Sequence, residues 1–213
     1  MIADRPGPPA AALTCFEDIR RRYVEDRDYR IVTRVGRTGV LVMAPHGGGI
    51  EPGTHIIADA VAGDDHGYYA FIGTLSAGNR ALHLPSTRFD EPRAMALAAS
   101  ARLLVVIHGC RDPDRVVYLG GRDTELGRHL AARLLAAGLH PTTSKKFPGM
   151  HPRNLCNRFP GIRGVQLELS TTLRDELTGT KGGAQSAPTP LALETLTVAI
   201  RHAIDDATRH DRM

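Results

Sequence analysis

Aromatic residues are scarce in this sequence. Phe and Tyr together make up 5% of the 213 residues, and Trp is absent. A surface that stacks bases or sugar rings on aromatic side chains would therefore have to be small. The Lys and Arg residues are scattered along the chain, and neither a zinc-finger nor an RNA-binding signature is present. We therefore expect no nucleic-acid partner.

Long apolar runs and a framework of paired cysteines are also lacking. The N-terminus, MIADRPGPPAAALTC, contains no uninterrupted apolar stretch, and no segment reaches the roughly 18 apolar residues of a membrane-spanning helix. Three cysteines (Cys15, Cys110 and Cys156) are too few for a disulfide scaffold. We expect no membrane partner and a protein that is cytoplasmic or released by lysis, with secretion left open.

The rest of the composition is that of an ordinary globular protein. With 42% hydrophobic and 23% charged residues, the chain is long enough for one domain with a sizeable core. We expect a single domain over residues 1–213, with residues 1–14, rich in Pro and Ala, as a flexible leader, and we expect a monomer. The net charge of +4 and the isoelectric point near 9.2 favour an anionic partner.

The spacing of apolar residues predicts strands and helices in alternation. Residues 102–108 (RLLVVIH) form a continuous apolar run, which is typical of a strand buried on both faces. Residues 123–137 keep a helical period of Leu residues, and Gly138 ends this predicted helix. The other predicted strands are residues 30–35, 40–44, 68–73, 116–119 and 164–170, and the other predicted helices are residues 15–28, 51–61, 91–101 and 191–209.

This order of elements predicts an α/β fold in which a mixed, mostly parallel sheet lies between helices. Residues 30–35 and 40–44 flank the sequence GRTG, which indicates a hairpin. Residues 178–190 (TGTKGGAQSAPTP) predict a flexible loop before the last helix.

The stretch APHGGGIEPGT, residues 44–54, places a histidine and a glutamate around three glycines directly after a predicted strand. Glycine-rich turns of this kind can bind phosphate, donate N–H groups to an oxyanion, or let two metal ligands converge. An HGGG run also occurs in serine esterases, but that scheme requires a G-x-S-x-G nucleophile turn. The sequence contains no such turn, so the esterase interpretation is excluded.

His46, Glu51 and His108 have the chemistry of a zinc site. His46 follows one predicted strand and His108 ends a second, and sites in open α/β sheets form beyond the carboxyl ends of strands. Catalytic zinc takes three protein ligands and keeps a fourth position open, and two His with one carboxylate is a standard set. The glycines between His46 and Glu51 allow both side chains to aim at one point. We therefore predict one Zn2+ ion held by these three residues.

Glu168 lies on a predicted strand whose apolar residues occupy the opposite face. Val165, Leu167 and Leu169 alternate with Gln166 and Glu168. An ionised Glu on a buried strand is costly unless a group pairs with it. A water at a metal site is such a partner, because a glutamate can accept its proton and pass it on. Glu168 is therefore the predicted general base.

Each of these residues also has a structural interpretation. His46 can form a hydrogen bond within its loop, and a lone His before glycines is more often structural. His108 at a strand end is unremarkable by itself. Glu168 can pair with Arg163 or Arg174. The residues alone leave these alternatives open.

Five blocks of the sequence resemble, in the same order, motifs of the phage and bacillar poly-γ-glutamate hydrolases. The resemblance covers about residues 30–175, and the blocks are APHGGGIEPGT, LHLPSTRFDEP, VVIHGC, NLCNR and GVQLELS. It implies a fold similar to that of the zinc carboxypeptidases and the aspartoacylase group. The metal motif departs from that of the carboxypeptidases, since it reads H-x4-E where they have H-x2-E.

The resemblance also implies roles for individual residues. A single zinc ion would be held by the residues that match His46, Glu51 and His108. The residue that matches Glu168 would serve as general base and acid in the cleavage of a γ-glutamyl amide.

For substrate binding we expect Arg158 in the NLCNR block, with Asn157 beside it. A planar guanidinium suits both an oxyanion and a substrate carboxylate. In the aspartoacylase group an Arg lies at a similar distance before the catalytic Glu, and this analogy supports Arg158. Arg80 and Arg174 are the next candidates, and His83 is a candidate for a contact with the substrate or with a metal ligand.

The leading prediction is a zinc amidohydrolase that acts on an anionic γ-glutamyl polymer or peptide. A second prediction keeps the zinc and changes the substrate to another peptide, a cell-wall γ-glutamyl linkage or an N-acyl amino acid. A third, a metal-dependent binding protein without catalysis, is disfavoured because the predicted base Glu168 is present. The choice of substrate depends on loops such as residues 63–90 and 139–160.

Overall fold

Seven strands form one sheet in the described part of the chain. The computed structural model describes residues 13–181, 184–185 and 190–209. The strands of this sheet are β1 (Tyr29–Arg34), β2 (Val40–Gly48), β3 (Gly67–Gly73), β4 (Leu103–Cys110), β5 (Val117–Gly120), β6 (Pro141–Thr142) and β7 (Arg163–Ser170). Their order across the sheet is β1-β3-β2-β4-β7-β5-β6. Two short strands, β8 (Thr180–Lys181) and β9 (Ala184–Gln185), pair with each other.

The four central strands are parallel. β3, β2, β4 and β7 run in one direction, whereas β1 pairs antiparallel with β3 and β5 pairs antiparallel with β7. Residues 40–47 and 103–108 are buried without interruption, which is typical of strands covered on both faces. Because parallel strands end at the same edge of a sheet, the side chains that end β2, β4 and β7 are brought together.

Helices cover both faces of this sheet. They are α1 (Phe16–Arg22), α2 (Thr54–Ala62), α3 (Pro92–Ser100), α4 (Thr124–Ala136), α5 (Thr171–Thr178) and α6 (Pro190–Arg209). Side chains of α2, α4, α5 and α6 share one apolar cluster with Val42, Val105 and Val165. Side chains of α1 and α3 share a second cluster, on the opposite face, with Met43 and Val106. The predicted mixed, mostly parallel sheet between helices is confirmed.

The predicted hairpin between residues 30–35 and 40–44 is wrong. β3 lies between β1 and β2, and β1 pairs with β3. Burial explains this order, because β2 is buried from residue 40 to residue 47 and takes a central position, whereas β1 mixes buried and exposed residues and suits the edge. Gly36 permits the connection, since a Cβ there would lie 2.1 Å from the backbone nitrogen of Gly67.

Two helices differ from the sequence-based expectation. α1 ends at Arg22 and not at residue 28, because Tyr23 after it adopts an extended conformation. The apolar pattern predicts no element where α5 lies. This helix begins after Ser170, whose side chain accepts a hydrogen bond from the backbone N–H of Leu173 and caps the first turn.

Two predicted segments fall partly outside the described residues. They are residues 1–12 of the predicted leader, and residues 182–183 and 186–189 of the predicted loop. Leu13 packs into the apolar cluster that α1 and α3 share. Among the helices that are described, none has the length and apolar character needed to cross a membrane.

Replacing Gly164 by alanine is expected to destabilise the fold. Gly164 lies at the start of β7, and a Cβ there would lie 2.0 Å from the carbonyl oxygen of Cys156. Relief requires the backbone to move, so we expect a loss of about 1–3 kcal/mol in the free energy of unfolding, measured by urea denaturation. Gly127→Ala in α4 is the matched control, because no atom outside the neighbouring backbone of its own helix lies within 4 Å of its Cβ position. The control should stabilise by about 0.5–1 kcal/mol, and effects of the same sign would contradict this packing.

Candidate active site

His108 and Glu168 lie on the face of the sheet that α1 and α3 cover. Residues two apart on a strand share a face, so His108 lies on the same face as Val106, which packs with α1 and α3. Glu168 lies opposite to Val165, which packs with the other layer of helices. The two residues are register partners on the neighbouring strands β4 and β7. Both therefore approach one point near the carboxyl ends of these strands.

His46 reaches the same face through a β-bulge. In a regular strand it would share the face of Val42 and Ala44, which pack with α2, α4, α5 and α6. The register of β2 with β3 shifts between Ala44 and Gly47, so that two residues of β2 oppose one residue of β3. The His46 ring consequently contacts Phe89, which belongs to the cluster on the opposite face.

The loop after β2 returns Glu51 to the end of this strand. Gly48 and Gly53 have φ values of 64° and 88°, which permit the tight course of the loop. The backbone N–H of Glu51 donates to the carbonyl oxygen of His46 over 2.8 Å. The Glu51 carboxylate accepts a hydrogen bond of 2.7 Å from the backbone N–H of Gly109 in β4. Glu51 is thus held between the two strands that carry the histidines.

The donor atoms of His46, Glu51 and His108 converge. His46 Nδ1 lies 3.2 Å from Glu51 Oε1 and 3.2 Å from His108 Nδ1. His108 Nδ1 lies 3.8 Å from Glu51 Oε2. One ligand atom from each residue lies within 4.8 Å of the other two. Two imidazoles and one carboxylate that face a common point at this spacing fit a zinc ion.

The hydrogen bond of His46 Nε2 determines the tautomer of this ring. Nε2 lies 2.8 Å from the carbonyl oxygen of Leu84. A carbonyl oxygen only accepts a hydrogen bond, so Nε2 carries the proton, and the lone pair of the neutral ring is on Nδ1. A histidine whose outer N–H is held by a carbonyl is the usual form of a histidine metal ligand.

Burial and mutual charge decide how the cluster is protonated. Burial would raise the pKa of Glu51, but the three neighbouring histidines outweigh it and hold this pKa well below its usual range. Burial would lower the pKa of His46, but the Glu51 carboxylate raises it. Burial lowers the pKa of His108 to about 3, although Glu51 opposes this shift. An ionised Glu51 and a neutral His108 are both forms that bind a cation.

Glu168 faces the cleft from β7 in a different electrostatic environment. Burial raises the pKa of its carboxyl to about 7, and the charge of Glu51 acts in the same direction. Among the described residues, no Lys or Arg forms an ion pair with this carboxyl. Arg163 pairs with Asp123 and Glu125.

Arg174, the other alternative partner of Glu168, holds backbone in place. Its guanidinium donates to the carbonyl oxygens of Pro52, Cys110 and Leu169. These bonds tie the loop after β2 to the ends of β4 and β7. Because its donors are used in this way and it is 4% exposed, Arg174 has a positioning role, although it also lines the cavity beside the loop after β2.

Two cavities meet at Glu51, and one of them also contains His46 and His108. One, of about 530 Å³, includes Glu168 and residues 146–151. The other, of about 590 Å³, includes residues 48–53 of the loop after β2. The residues that line both are Glu51, Arg80, His83, Gly109 and Arg111. A ligand longer than one cavity can therefore extend past Glu51 from one cavity into the other.

Exposed cations line these cavities. Arg80 and Arg111 line both, and Lys146 lines the one that contains Glu168. Within the described part of the chain, the guanidinium groups of Arg80 and Arg111 have neither a hydrogen-bond nor an ion-pair partner. Both are therefore available to an anionic ligand. The sequence analysis did not predict Arg111 as a substrate-binding residue. Its position directly after the VVIHGC block is the signal that could have identified it.

The structure does not bring Asn157 and Arg158 into the cleft. Both side chains turn to backbone groups of the surrounding loops. The Arg158 guanidinium donates to the carbonyl oxygens of Ser86, Phe89 and Arg153. The Asn157 amide donates to the carbonyl oxygens of Gly149 and His151 and accepts from the backbone N–H of Arg122. These two residues hold the wall of the cleft together, and neither lines its interior.

His83 lies at the boundary between the cluster and the cleft. Its ring stacks on that of His46, with centroids 4.1 Å apart and an interplanar angle of 26°. Its Nε2 lies 3.5 Å from Glu51 Oε1. The side chain is 34% exposed, so it reaches solvent and the cluster at once.

Comparison with known proteins finds one family over most of the chain. The family model for poly-γ-glutamate hydrolase matches residues 14–190. The UPF0714 protein YndL of Bacillus subtilis (strain 168) is 34% identical over 172 residues, which are 77% of this chain and 66% of YndL. The chain spans about two thirds or less of the length of the curated relatives that it matches.

Two solved structures have the same fold over almost their whole length. A bacteriophage poly-γ-glutamate hydrolase superposes with a TM-score of 0.85 and 27% identity, covering 92% of this chain and 97% of that chain. The zinc-free apo form of YndL superposes with a TM-score of 0.84 and 29% identity, covering 92% of this chain and 98% of that chain. The resemblance predicted from the five sequence blocks is confirmed.

Glu168→Gln is expected to stabilise the metal-free protein at alkaline pH. The folded-state pKa of Glu168, about 7, lies above its ordinary value of 4.5, so stability is lost as the pH rises between these values and the carboxyl ionises. An amide stays neutral. The variant should therefore exceed the wild type by on the order of 2 kcal/mol in the free energy of unfolding at pH 8 and match it near pH 4. Urea denaturation at the two pH values measures this difference, and equal stabilities at pH 8 would contradict the burial of the carboxyl.

Proposed function

This chain belongs to the poly-γ-glutamate hydrolase family, and from that membership and the geometry of its cleft we propose that it hydrolyses γ-glutamyl amide bonds of poly-γ-glutamate with one zinc ion. One observation carries the proposal. The donor atoms of His46, Glu51 and His108 converge on one point beside Glu168, whose carboxyl has a raised pKa. A site of this kind, lined by exposed cations, suits an anionic amide substrate.

His46, Glu51 and His108 are the proposed zinc ligands. Their buried donor set fits the ion, and the relative YndL has been solved in a form described as zinc-free. When bound, zinc supplies Lewis acidity, which polarises a carbonyl group and lowers the pKa of water toward about 7. The hydrogen bond from His46 Nε2 to Leu84 keeps the imidazole in the orientation and tautomer that binding requires.

Glu168 is the proposed general base and general acid. A carboxyl with a pKa near 7 exchanges protons readily at neutral pH, because both protonation states are populated. In its ionised form Glu168 accepts a proton from the attacking water. In its protonated form it returns that proton to the nitrogen of the departing amine. The raised pKa follows from burial and from the nearby charge of Glu51, so the environment of the cleft prepares both forms.

Arg80, Arg111 and Lys146 are the proposed substrate-binding cations. Poly-γ-glutamate is joined through its γ-carboxyl groups, so each residue of the polymer keeps one free α-carboxylate. A polymer that crosses both cavities brings these carboxylates to the cations on their walls. A guanidinium binds a carboxylate through two parallel hydrogen bonds, which favours Arg over Lys for this role. These residues take the role that the sequence suggested for Asn157 and Arg158.

Hydrolysis of poly-γ-glutamate by the zinc-loaded protein tests the proposal. We expect a falling polymer length in size-exclusion chromatography and a matching release of amino groups. Glu168→Gln should keep about one zinc per chain and lose about 10²–10⁴-fold in rate, because an amide cannot accept the proton. Glu176→Gln is the matched control, since Glu176 makes an exposed ion pair with Arg115 outside the cleft. This control should keep the full rate.

Three results would each contradict a different part of the proposal. A Glu168→Gln variant as active as the wild type would remove Glu168 from the mechanism. Equal rates on α-linked and γ-linked polyglutamate would contradict the choice of linkage. Cleavage of N-acyl amino acids without cleavage of the polymer would contradict the polymer as the substrate.

Arg80→Gln and Arg111→Gln are expected to weaken binding of the polymer. Each loses an exposed charge-assisted contact of roughly 1 kcal/mol, so KM should rise about 3–10-fold while kcat changes less than twofold. The salt dependence of KM should also become less steep. Steady-state kinetics at two ionic strengths measures both effects. Arg21→Gln on α1, whose side chain is 71% exposed, is the control, and unchanged KM in both cleft variants would contradict the assignment.

A further inference from the structure

A chain of hydrogen bonds joins the loop behind the cleft to Glu168. The backbone N–H of Cys156 donates to Asn154 Oδ1 over 3.2 Å. Asn154 Nδ2 donates to Gln166 Oε1 over 2.8 Å. Gln166 Nε2 lies 3.4 Å from the carbonyl oxygen of Phe147 and 3.5 Å from Glu168 Oε1, and donates to both.

The direction of this chain is set by the backbone N–H of Cys156. A backbone N–H only donates, so it selects the oxygen of the Asn154 amide, and the Ser86 hydroxyl donates to the same oxygen over 3.2 Å. The nitrogen of Asn154 must then face Gln166, which turns the oxygen of Gln166 toward Asn154. The Gln166 amide therefore presents N–H donors, and not its oxygen, to Glu168.

Packing keeps Gln166 in this arrangement. Gln166 is 3% exposed and Asn154 is 7% exposed. A Cβ at Gly149 would lie 2.8 Å from Gln166 Cδ, and a Cβ at Gly120 would lie 3.1 Å from Gln166 Cγ. These two glycines thus let the backbone close tightly over the amide. A reversed amide would set its oxygen against the Glu168 carboxylate and leave buried polar groups unpaired, which is costly.

We propose that Gln166 and Asn154 are positioning residues for the reaction at Glu168. Gln166 and Glu168 are two residues apart on β7, so their side chains lie side by side on one face. The Gln166 amide occupies Glu168 Oε1 and leaves Oε2 as the oxygen that exchanges the proton. Asn154 acts one step further away, by fixing the orientation of the Gln166 amide. This role rests on the proposed function, in which Glu168 is the base.

Two substitutions test the positioning role. Gln166→Met keeps the side-chain length and removes both donors. Asn154→Asp keeps the shape and replaces the Nδ2 donor by an acceptor, which should turn the Gln166 amide over. In each variant we expect kcat on poly-γ-glutamate to fall about tenfold, with KM within twofold and the zinc content unchanged. Val165→Ala is the control, because it creates a cavity on the opposite face of β7. It should lower the stability and leave kcat unchanged.

A double substitution separates positioning from folding. If Gln166 acts through Glu168, Gln166→Met should slow the Glu168→Gln variant no further. Additive losses in the double variant would overturn the proposal. A rise in KM with unchanged kcat in the single variants would overturn it as well.

The side-chain amide resonances of Gln166 provide a readout that does not depend on hydrolysis. They are identified by their disappearance in Gln166→Met. We expect them to shift in Glu168→Gln and to stay unchanged in Glu176→Gln. Unshifted resonances in Glu168→Gln would overturn the contact even in a protein without activity. If the resonances shift in Glu168→Gln but the wild-type chain hydrolyses no polymer, the contact is supported and only the proposed function is contradicted.

Discussion

The carboxylate of Glu51 is the group on which the arrangement of the cleft depends. It lies between the buried imidazoles of His46 and His108 and accepts the backbone N–H of Gly109. A carboxylate and two nitrogen lone pairs in so small a buried volume are costly unless a positive charge compensates them. Three features of the backbone and of the buried side chains hold these three ligands together. They are the bulge in β2, the glycines of positive φ after it, and a buried Arg174 that holds the loop to the strand ends.

The same cleft gives two carboxyl groups opposite properties. Glu51 lies among histidines and a backbone N–H, and its pKa is held well below the usual range. Glu168 is partly buried without an ion-pair partner among the described residues, and this desolvation raises its pKa to about 7. One group is therefore ionised at neutral pH and suited to a cation, and the other is suited to proton transfer. Environments that push two neighbouring pKa values apart are a common basis for dividing acid–base roles between like residues.

Much of the fold can be predicted from the sequence because burial imposes the apolar period. The strand at residues 164–170 and the helices at residues 123–137 and 191–209 differ from the observed bounds by one residue at most. The hairpin could not be predicted correctly, because local turn residues carry no information on which distant strand inserts beside β1. Pro45 interrupts the apolar run and is compatible with a bulge, but it does not predict which face of the sheet His46 takes. The choice between Arg158 and Arg111 depends on where a loop directs each guanidinium, and in this fold the first meets carbonyl oxygens and the second meets the cleft.

The position of zinc in crystals of the loaded wild-type chain, located by anomalous diffraction at the zinc absorption edge, tests the central claim most directly. The geometry predicts one strong peak about 2.0–2.2 Å from His46 Nδ1, from His108 Nδ1 and from a carboxylate oxygen of Glu51. Glu168 should lie outside bonding distance of the ion, and Gln166 Nε2 should keep its hydrogen bond to Glu168 Oε1. A peak bound directly by Glu168, or no peak between His46, Glu51 and His108, would contradict the claim that these three residues form the metal site.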